Sequence, residues 1–142
     1  MLIDTHCHLN FPTKFPDVEA EIAYAHSEGV TRLVVVGCDV ESSQRAIDLA
    51  DAYPSVYAVV GWHPTSAAHY DSAGLKAVET MLAHPKAVAV GEIGFDFYWD
   101  HSTHEEQERC LRDQLDLARA HHKPIVFHCR DAWDALLDLL EQ

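Results

Sequence analysis

The chain has 142 residues, of which 48% are hydrophobic and 23% charged, and its formal net charge is −13. These values are typical of one globular domain with its own core, and no apolar run approaches the roughly 20 residues of a membrane span. So acidic a chain lacks the broad basic surface that attracts duplex nucleic acid, which argues against a sequence-specific DNA-binding module. A nuclease stays compatible with this charge, because bound divalent metal ions supply positive charge locally.

Five short apolar runs alternate with helical patterns along the chain. The runs are Leu2–Ile3, Leu33–Val36, Val56–Val60, Ala87–Val90 and Ile125–Phe127. They are rich in β-branched residues and show little polar alternation, which is typical of strands buried on both faces of a parallel sheet.

The segments between these runs have the periodicity of amphipathic helices. The first predicted helix carries Val18, Ile22 and Ala25 and ends at Gly29, and the second extends from about Glu41 to Ala52. The third carries Leu75, Val78 and Leu82, and the fourth carries Leu111, Leu115 and Ala118. The fifth starts near Asp131. The segment Ser102–Glu105 has a capping-box pattern at the start of the fourth helix. This alternation predicts right-handed βαβ units and a parallel sheet.

Two architectures fit such units: an open doubly wound sheet and a TIM-type (β/α)₈ barrel. Five units in 142 residues match the open sheet in size. However, residues able to do chemistry follow each apolar run, and in a barrel all strand ends converge on one mouth. In an open sheet, distant strands could not share a metal ion, so the polar residues favour the barrel.

The first run leads into two histidines, His6 and His8, in the segment Asp4-Thr5-His6-Cys7-His8. Residues two apart on a strand face the same side, so the two imidazoles would lie together. They would then form half of a metal site, although two solvated histidines at a strand end remain the alternative.

Candidate residues also follow the later runs. They are Cys38 and Asp39 after the second, His63 after the third, Glu92 and Asp96 after the fourth, and His128 and Arg130 after the fifth. Glycines on both sides of Glu92 suggest a backbone shaped to place its carboxylate, against the alternative of a cap or surface group. His63 could be an ordinary loop residue, and His128 could be hydrogen-bonded to backbone groups instead of binding a metal ion.

The remaining histidines, the cysteines and the N-terminus bear on solvent exposure and on the cellular compartment. Five further histidines are interpreted as solvated surface residues: His26, His69, His84, His121 and His122. The four cysteines form no Cys-x-x-Cys pair, and Met1–Asp4 has no signal-peptide character. We therefore expect reduced thiols in a cytoplasmic protein.

Four segments together resemble a known family. Asp4–His8, Gly61–Pro64, Gly91–Asp96 and His128–Asp131 are similar, in order and spacing, to the motifs of the TatD family of metal-dependent hydrolases. That family belongs to the amidohydrolase superfamily of (β/α)₈ barrels. The resemblance implies that residues 1–142 form one domain unit, the N-terminal five of eight βα units of a barrel.

The resemblance also implies roles for single residues. His6 and His8 would hold one metal ion, Glu92 would bridge two, and His128 would hold the second. His63, Asp96 and Arg130 would lie around the substrate phosphate or behind the metal ligands. The implied reaction is hydrolysis of phosphodiester bonds in DNA, at single-stranded ends, with two divalent ions: Zn²⁺, Mn²⁺ or Mg²⁺.

The chain departs from the family in its extent. Family members continue for three more strands, which carry a further His and an Asp that bind metal. We therefore expect a fragment or a truncated gene product that self-associates through open barrel edges and retains at most one metal ion, through His6, His8 and Glu92. Trp62 and Phe95 are bulkier than usual at their motif positions. Two alternatives stay open: hydrolysis of a small ester, amide or lactone, and a non-catalytic metal-binding partial barrel.

Overall fold

The computed structural model describes all 142 residues, as five strands and five α-helices in strict alternation. The strands are β1 Leu2–Cys7, β2 Val30–Val36, β3 Val56–Val60, β4 Ala87–Asp96 and β5 Ile125–Arg130. The helices are α1 Val18–Ser27, α2 Val40–Ala52, α3 Ser72–Leu82, α4 His104–Ala120 and α5 Trp133–Leu140, with a short 3₁₀ helix at Pro64–His69. The predicted alternation of strands and helices is confirmed.

The strands form one parallel sheet in the order β1-β2-β3-β4-β5. An open doubly wound sheet reverses its strand order at a switch point, whereas a barrel adds each strand beside the previous one. The unbroken order therefore gives a curled partial barrel of the TIM type with five of the eight βα units. The fold class expected from the sequence is confirmed.

The core lies on both faces of this sheet. A cluster of 24 buried residues, including Val35, Ile93 and Leu111, fills the space between the strands and the surrounding helices. Val36, Val59 and Ala89 form a smaller buried row across β2, β3 and β4. Since neighbouring side chains on a strand face opposite sides, Val36 lies on the inner face of the curled sheet.

Three local features differ from the sequence prediction. The capping box of α4 is formed by Thr103 and Glu106, one residue after the predicted Ser102–Glu105: Thr103 N donates to Glu106 Oε2 at 2.7 Å. The helix α5 begins at Trp133 rather than near Asp131, because Asp131 has a positive φ of 54° that a helix cannot contain. The 3₁₀ helix was not predicted, since one short turn after a proline has no periodicity to detect.

The two outer strands have hydrogen-bonded neighbours on one side only. Leu2 and Ile3 on β1 are 60% and 47% exposed, and Phe127 on β5 is 39% exposed. Both edges of the sheet thus present unpaired backbone and apolar side chains. None of the helices has the length and apolar character needed to cross a membrane.

Candidate metal centre

His6 and His8 lie together at the carboxyl end of β1, with ring centroids 5.1 Å apart. His8 Nδ1 lies 3.0 Å from the carbonyl oxygen of Val36, which can only accept, so this nitrogen carries the proton and Nε2 keeps its lone pair. The buried Asn10 side chain donates to the same carbonyl and so holds the strand end in place. An imidazole oriented by a backbone carbonyl is the usual arrangement of a metal-binding histidine.

Glu92 joins the two outer strands of the sheet. Its Oε2 lies 3.3 Å from His6 Nε2, and its Oε1 lies 3.0 Å from His128 Nδ1. The carboxylate is on β4, because this strand continues past its apolar run to Asp96. It therefore lies between the histidine of β1 and that of β5.

Gly94 allows β4 to approach β5 at this point. Its φ is +146°, and a Cβ atom there would lie 1.9 Å from the carbonyl oxygen of His128. Any side chain at position 94 would push the strands apart and move Glu92 away from His128. The glycine that the sequence singled out near Glu92 is thus required by the close contact of two backbones.

His128 lies between two carboxylates. Its Nε2 is 2.8 Å from Asp96 Oδ2, and its Nδ1 contacts Glu92. Asp96 is only 1% exposed, and its Oδ1 accepts the backbone N–H groups of Tyr98 and Trp99, each at 3.1 Å. Asp96 therefore orients His128 and the loop that follows β4.

These contacts shift the pKa values in opposite directions. Burial raises the pKa of Glu92 and that of Asp96. For Glu92 the hydrogen bond from His128 and the charges of the neighbouring histidines together outweigh burial, and for Asp96 the hydrogen bonds from His128 and from two backbone N–H groups do so with the charge of His128, so both pKa values lie below their ordinary range. Burial lowers the pKa of His128, but its hydrogen bonds to the two carboxylates outweigh it and raise that pKa. In the absence of metal, the group therefore favours an imidazolium between two carboxylates.

His63 lies against His128, with ring centroids 4.1 Å apart. Burial, followed by the charge of His128, lowers the pKa of His63 to about 4, so this ring is neutral near pH 7. Its Nδ1 is 2.7 Å from Thr65 Oγ1 and 3.2 Å from Thr65 N. When Nδ1 accepts from that backbone N–H, Nε2 carries the proton and acts as a donor.

The side chains form two groups that share one carboxylate. His6, His8 and Glu92 have ligand atoms within 4.8 Å of one another, and so do His63, Glu92 and His128. Two imidazoles and one carboxylate are a set that suits Zn²⁺ or Mn²⁺. The sequence did not count His63 among the metal ligands, and the structure places it within reach of the second group.

Other candidates lie outside these two groups. The guanidinium of Arg130 packs over the ring of Tyr98, 3.8 Å from its centroid, rather than against the histidines. Burial raises the pKa of Cys38 to about 12, so its thiol stays protonated. Asp39 caps α2 by accepting from Ser42 N at 2.7 Å.

Two of the histidines interpreted as solvated are partly buried and paired, which corrects that expectation. His84 Nε2 lies 2.9 Å from Asp51 Oδ1, with a side chain 19% exposed. His121 Nε2 lies 3.4 Å from Glu79 Oε1. Both contacts join neighbouring helices or loops at the surface, away from the ligand groups.

Two buried glutamines position the site and were missed from the sequence. Gln107 Oε1 accepts from Asp96 N at 2.8 Å, and its Nε2 donates to Asp96 O at 2.9 Å. Gln114 makes the same pair of bonds to Trp62 N and O, at 2.7 and 3.1 Å. Both glutamines are 1% exposed on α4. A sequence signal for them exists: the two glutamines are two helical turns apart, and both lie within the apolar stripe of the predicted helix.

A partial TIM-type barrel with a histidine–carboxylate centre at the carboxyl ends of its strands defines a class of metal-binding α/β proteins. The model of the family described as TatD related DNase matches residues 3–142, and the chain belongs to this family. The resemblance read from the four sequence motifs is thereby confirmed.

Individual relatives agree with this assignment. The chain is 39% identical over 142 residues to "Uncharacterized metal-dependent hydrolase YabD" of Bacillus subtilis, covering 100% of this chain and 56% of that protein. It is 38% identical over 125 residues to "3'-5' ssDNA/RNA exonuclease TatD" of Escherichia coli, covering 88% of this chain and 48% of that protein. The chain thus spans about half the length of the curated relatives it matches.

Solved structures show the same fold. The crystal structure of YjjV, a TatD homologue from Escherichia coli, matches with a TM-score of 0.92 and 35% identity, over 99% of this chain and 55% of that one. A TatD family hydrolase from Entamoeba histolytica matches with a TM-score of 0.90 at 22% identity, which bears on the fold alone.

Proposed function

We propose that this chain carries the metal-binding part of a hydrolase that cleaves phosphodiester bonds in DNA. The observation that carries the proposal is the position of Glu92, whose two oxygens contact His6 on one side and His128 on the other. A carboxylate placed between two imidazole groups in this way can bridge a pair of metal ions.

The donor set supports metal binding by both groups. His6, His8 and Glu92 would hold the first ion, and Glu92 with His128 would hold the second more weakly, because His128 must first give up a contact to a carboxylate. When bound, such ions lower the pKa of a water molecule and stabilise the attacking and leaving oxygens of a phosphodiester. Mixed imidazole and carboxylate ligands favour Zn²⁺ or Mn²⁺ over Mg²⁺.

The other residues have proposed roles of their own. His63, neutral near pH 7, donates through Nε2 to a phosphate oxygen. Asp96, held by two backbone N–H groups, accepts a proton or keeps His128 oriented. Arg130 supplies positive charge at the rim of the site.

The proposed substrate is single-stranded DNA, at its ends. A relative named as a 3'-5' ssDNA/RNA exonuclease supports a nucleic-acid substrate. The net charge of −13 argues against stable binding of duplex DNA. A cytoplasmic location is part of this proposal.

A chimaera tests the proposal. Residues 1–142 would replace the matching segment of YjjV, whose structure has the same fold. We expect the chimaera to shorten a labelled single-stranded oligonucleotide in Mn²⁺ or Zn²⁺, and Glu92→Gln to abolish this activity. Glu41→Gln, at an exposed position on α2, is the matched control. A folded, metal-loaded chimaera that hydrolyses lactones or esters but not DNA would support the small-substrate alternative instead, and one without any hydrolysis would support a non-catalytic role.

A further inference from the structure

Two large aromatic side chains lie exposed beside the candidate metal centre. Tyr98 and Trp99 are 53% and 46% exposed, and only Phe97 separates them from Asp96, the last residue of β4. Adjacent exposed rings cost free energy in water, and such patches mark binding surfaces more often than ordinary surface. Neither ring belongs to the ligand groups.

The loop that carries these rings is tied to the site. The backbone N–H groups of Tyr98 and Trp99 both donate to Asp96 Oδ1, and the other oxygen of Asp96 contacts His128. In addition, Phe97 N donates to Arg130 O at 2.9 Å. The backbone of the segment that carries the rings is therefore tied to the buried carboxylate that contacts His128.

Arg130 completes the surface with a positive charge. Its guanidinium lies 3.8 Å from the ring centroid of Tyr98 and 5.6 Å from that of Trp99. No carboxylate lies within ion-pair distance of it, although the chain carries 23 acidic residues. The Tyr98 and Trp99 rings meet edge to face, with centroids 4.7 Å apart. An unneutralised cation thus stands beside two aromatic faces.

These features select one chemistry of ligand. The ligand needs a flat ring system that stacks on one of these perpendicular rings, on a part that Arg130 leaves uncovered, and a negative charge for Arg130. A nucleotide has both, and its base is available only when it is unstacked from a partner strand. In duplex DNA the bases are covered, and the acidic chain repels the dense phosphate charge.

We infer that Tyr98, Trp99 and Arg130 form a stacking platform for a base of single-stranded nucleic acid, beside the phosphodiester at the metal centre. This inference rests on the proposed function and names the residues that would recognise the substrate. Stacking makes use of a face that every base has, so the platform holds single strands with little sequence preference. It also discriminates against a duplex end, whose bases must first separate.

Binding without hydrolysis tests the platform. A fluorescein-labelled oligothymidylate and an abasic oligomer with the same number of phosphates are titrated with the chain at low salt in EDTA, and anisotropy is measured. We expect the wild type to bind oligothymidylate more tightly than the abasic strand. Trp99→Ala and Tyr98→Ala should each weaken oligothymidylate binding roughly tenfold, which is about 1.4 kcal/mol, and leave abasic binding unchanged.

Matched variants separate stacking from general damage. Tyr24→Ala removes a ring that is 66% exposed near the end of α1, away from the mouth, and should change neither affinity. Trp99→Phe should retain most of the binding, because a smaller ring still stacks. Thermal unfolding verifies that each variant is folded.

The results distinguish this inference from the proposed function. If the chimaera does not cleave DNA but Trp99→Ala selectively loses base-dependent binding, the platform stands and the hydrolase proposal fails. If the wild type binds both oligomers equally, binds neither, or is unaffected by Trp99→Ala and Tyr98→Ala, the platform is overturned whatever the chimaera does.

Discussion

His128 Nδ1 lies 3.0 Å from Glu92 Oε1, and this contact links the side chains of the neighbouring strands β5 and β4. It joins a histidine whose pKa is raised to a carboxylate whose pKa is lowered. Metal binding at this pair requires His128 to release its proton and one of its carboxylate contacts. At His8 the Nδ1 proton is donated to the carbonyl of Val36, so in the neutral ring Nε2 is the nitrogen that can bind a metal ion.

The first prediction concerns the pH dependence of stability in the metal-free chain. A histidine with a folded pKa above its unfolded value stabilises fully below the unfolded value, about 6.5, and this contribution is lost as the pH rises through the folded pKa. We expect the free energy of unfolding, measured with urea in EDTA, to fall as the pH rises above about 6.5, and His128→Gln to reduce this fall. His26→Gln, at an exposed position, is the control. If the free energy of unfolding depended on pH equally in His128→Gln and in the wild type, an imidazolium between two carboxylates would be refuted.

His63 gives the opposite dependence at lower pH. Its folded pKa of about 4 lies below its unfolded value, so the unfolded chain takes up the proton first and stability is lost as the pH falls from about 6.5 to 4. Glu92 and Asp96 add to this loss, because their lowered pKa values stabilise only above their unfolded values. His63→Gln should reduce the loss between pH 6 and 5, measured by the same urea titrations. If His63→Gln lost as much stability as the wild type between pH 6 and 5, a neutral, buried His63 would be contradicted.

Asp96→Ala is predicted to destabilise the chain by about 2 to 3 kcal/mol, since a buried charged acceptor of two backbone donors and one imidazole is lost. Asp96→Asn should cost less, because its amide oxygen still accepts the two N–H groups. The neighbouring Asp100 is exposed, so Asp100→Ala should change stability by less than about 0.5 kcal/mol. Urea unfolding at pH 7 measures all three, and equal effects of Asp96→Ala and Asp100→Ala would contradict the role of Asp96.

Gln114→Leu is predicted to cost about 2 to 4 kcal/mol. The substitution keeps the volume but leaves the buried N–H of Trp62 without its partner and the C=O of Trp62 with only the weak donor Cys110 Sγ at 3.9 Å. Gln107→Leu should behave alike at Asp96. Gln44→Leu, at an exposed position of α2, provides the comparison. If the Gln114→Leu chain unfolds at the same urea concentration as Gln44→Leu, the two bonds do not position the strand end.

Self-association through the open edges is a further prediction. Exposed Ile3 on β1 and Phe127 on β5, together with unpaired strand backbone, favour contact between copies. We expect sedimentation velocity at micromolar concentration to show species larger than the 15.9 kDa chain. Ile3→Lys combined with Phe127→Lys should shift the distribution toward the monomer. A wild type that sediments as one monomer would count against the prediction.

Much of the fold follows from the sequence. Runs of β-branched residues and helical stripes define the elements, and the motif residues at the strand ends favour a barrel over an open sheet. The order of the strands does not follow from periodicity, because both architectures have the same alternation. The end of β4 was also missed, since Gly91 and Gly94 interrupt its apolar pattern while the close contact with β5 extends the strand.

The site was only partly accessible to sequence reasoning. Same-side placement of His6 and His8 follows from strand geometry; the structure places Glu92 with them, and His128 contacts Glu92. The proximity of His63 to His128 depends on the curl of the sheet, which sequence does not report. Gln107 and Gln114 look like solvated helix residues until the backbone that they bind is known, and Arg130 was expected at a phosphate without its aromatic partners.

We propose that His6, His8 and Glu92 form a preformed metal site on this chain, and metal content after dialysis tests this proposal most directly. The chain is loaded with Zn²⁺, dialysed, and analysed by atomic emission, beside a His6→Ala, His8→Ala double mutant. A His26→Ala, His69→Ala double mutant, at two exposed positions, controls for surface histidines. We predict one equivalent of zinc in the wild type and the control, and none in the His6→Ala, His8→Ala protein. No zinc in the wild type, two retained equivalents, or one equivalent that survives the loss of His6 and His8 would contradict the account.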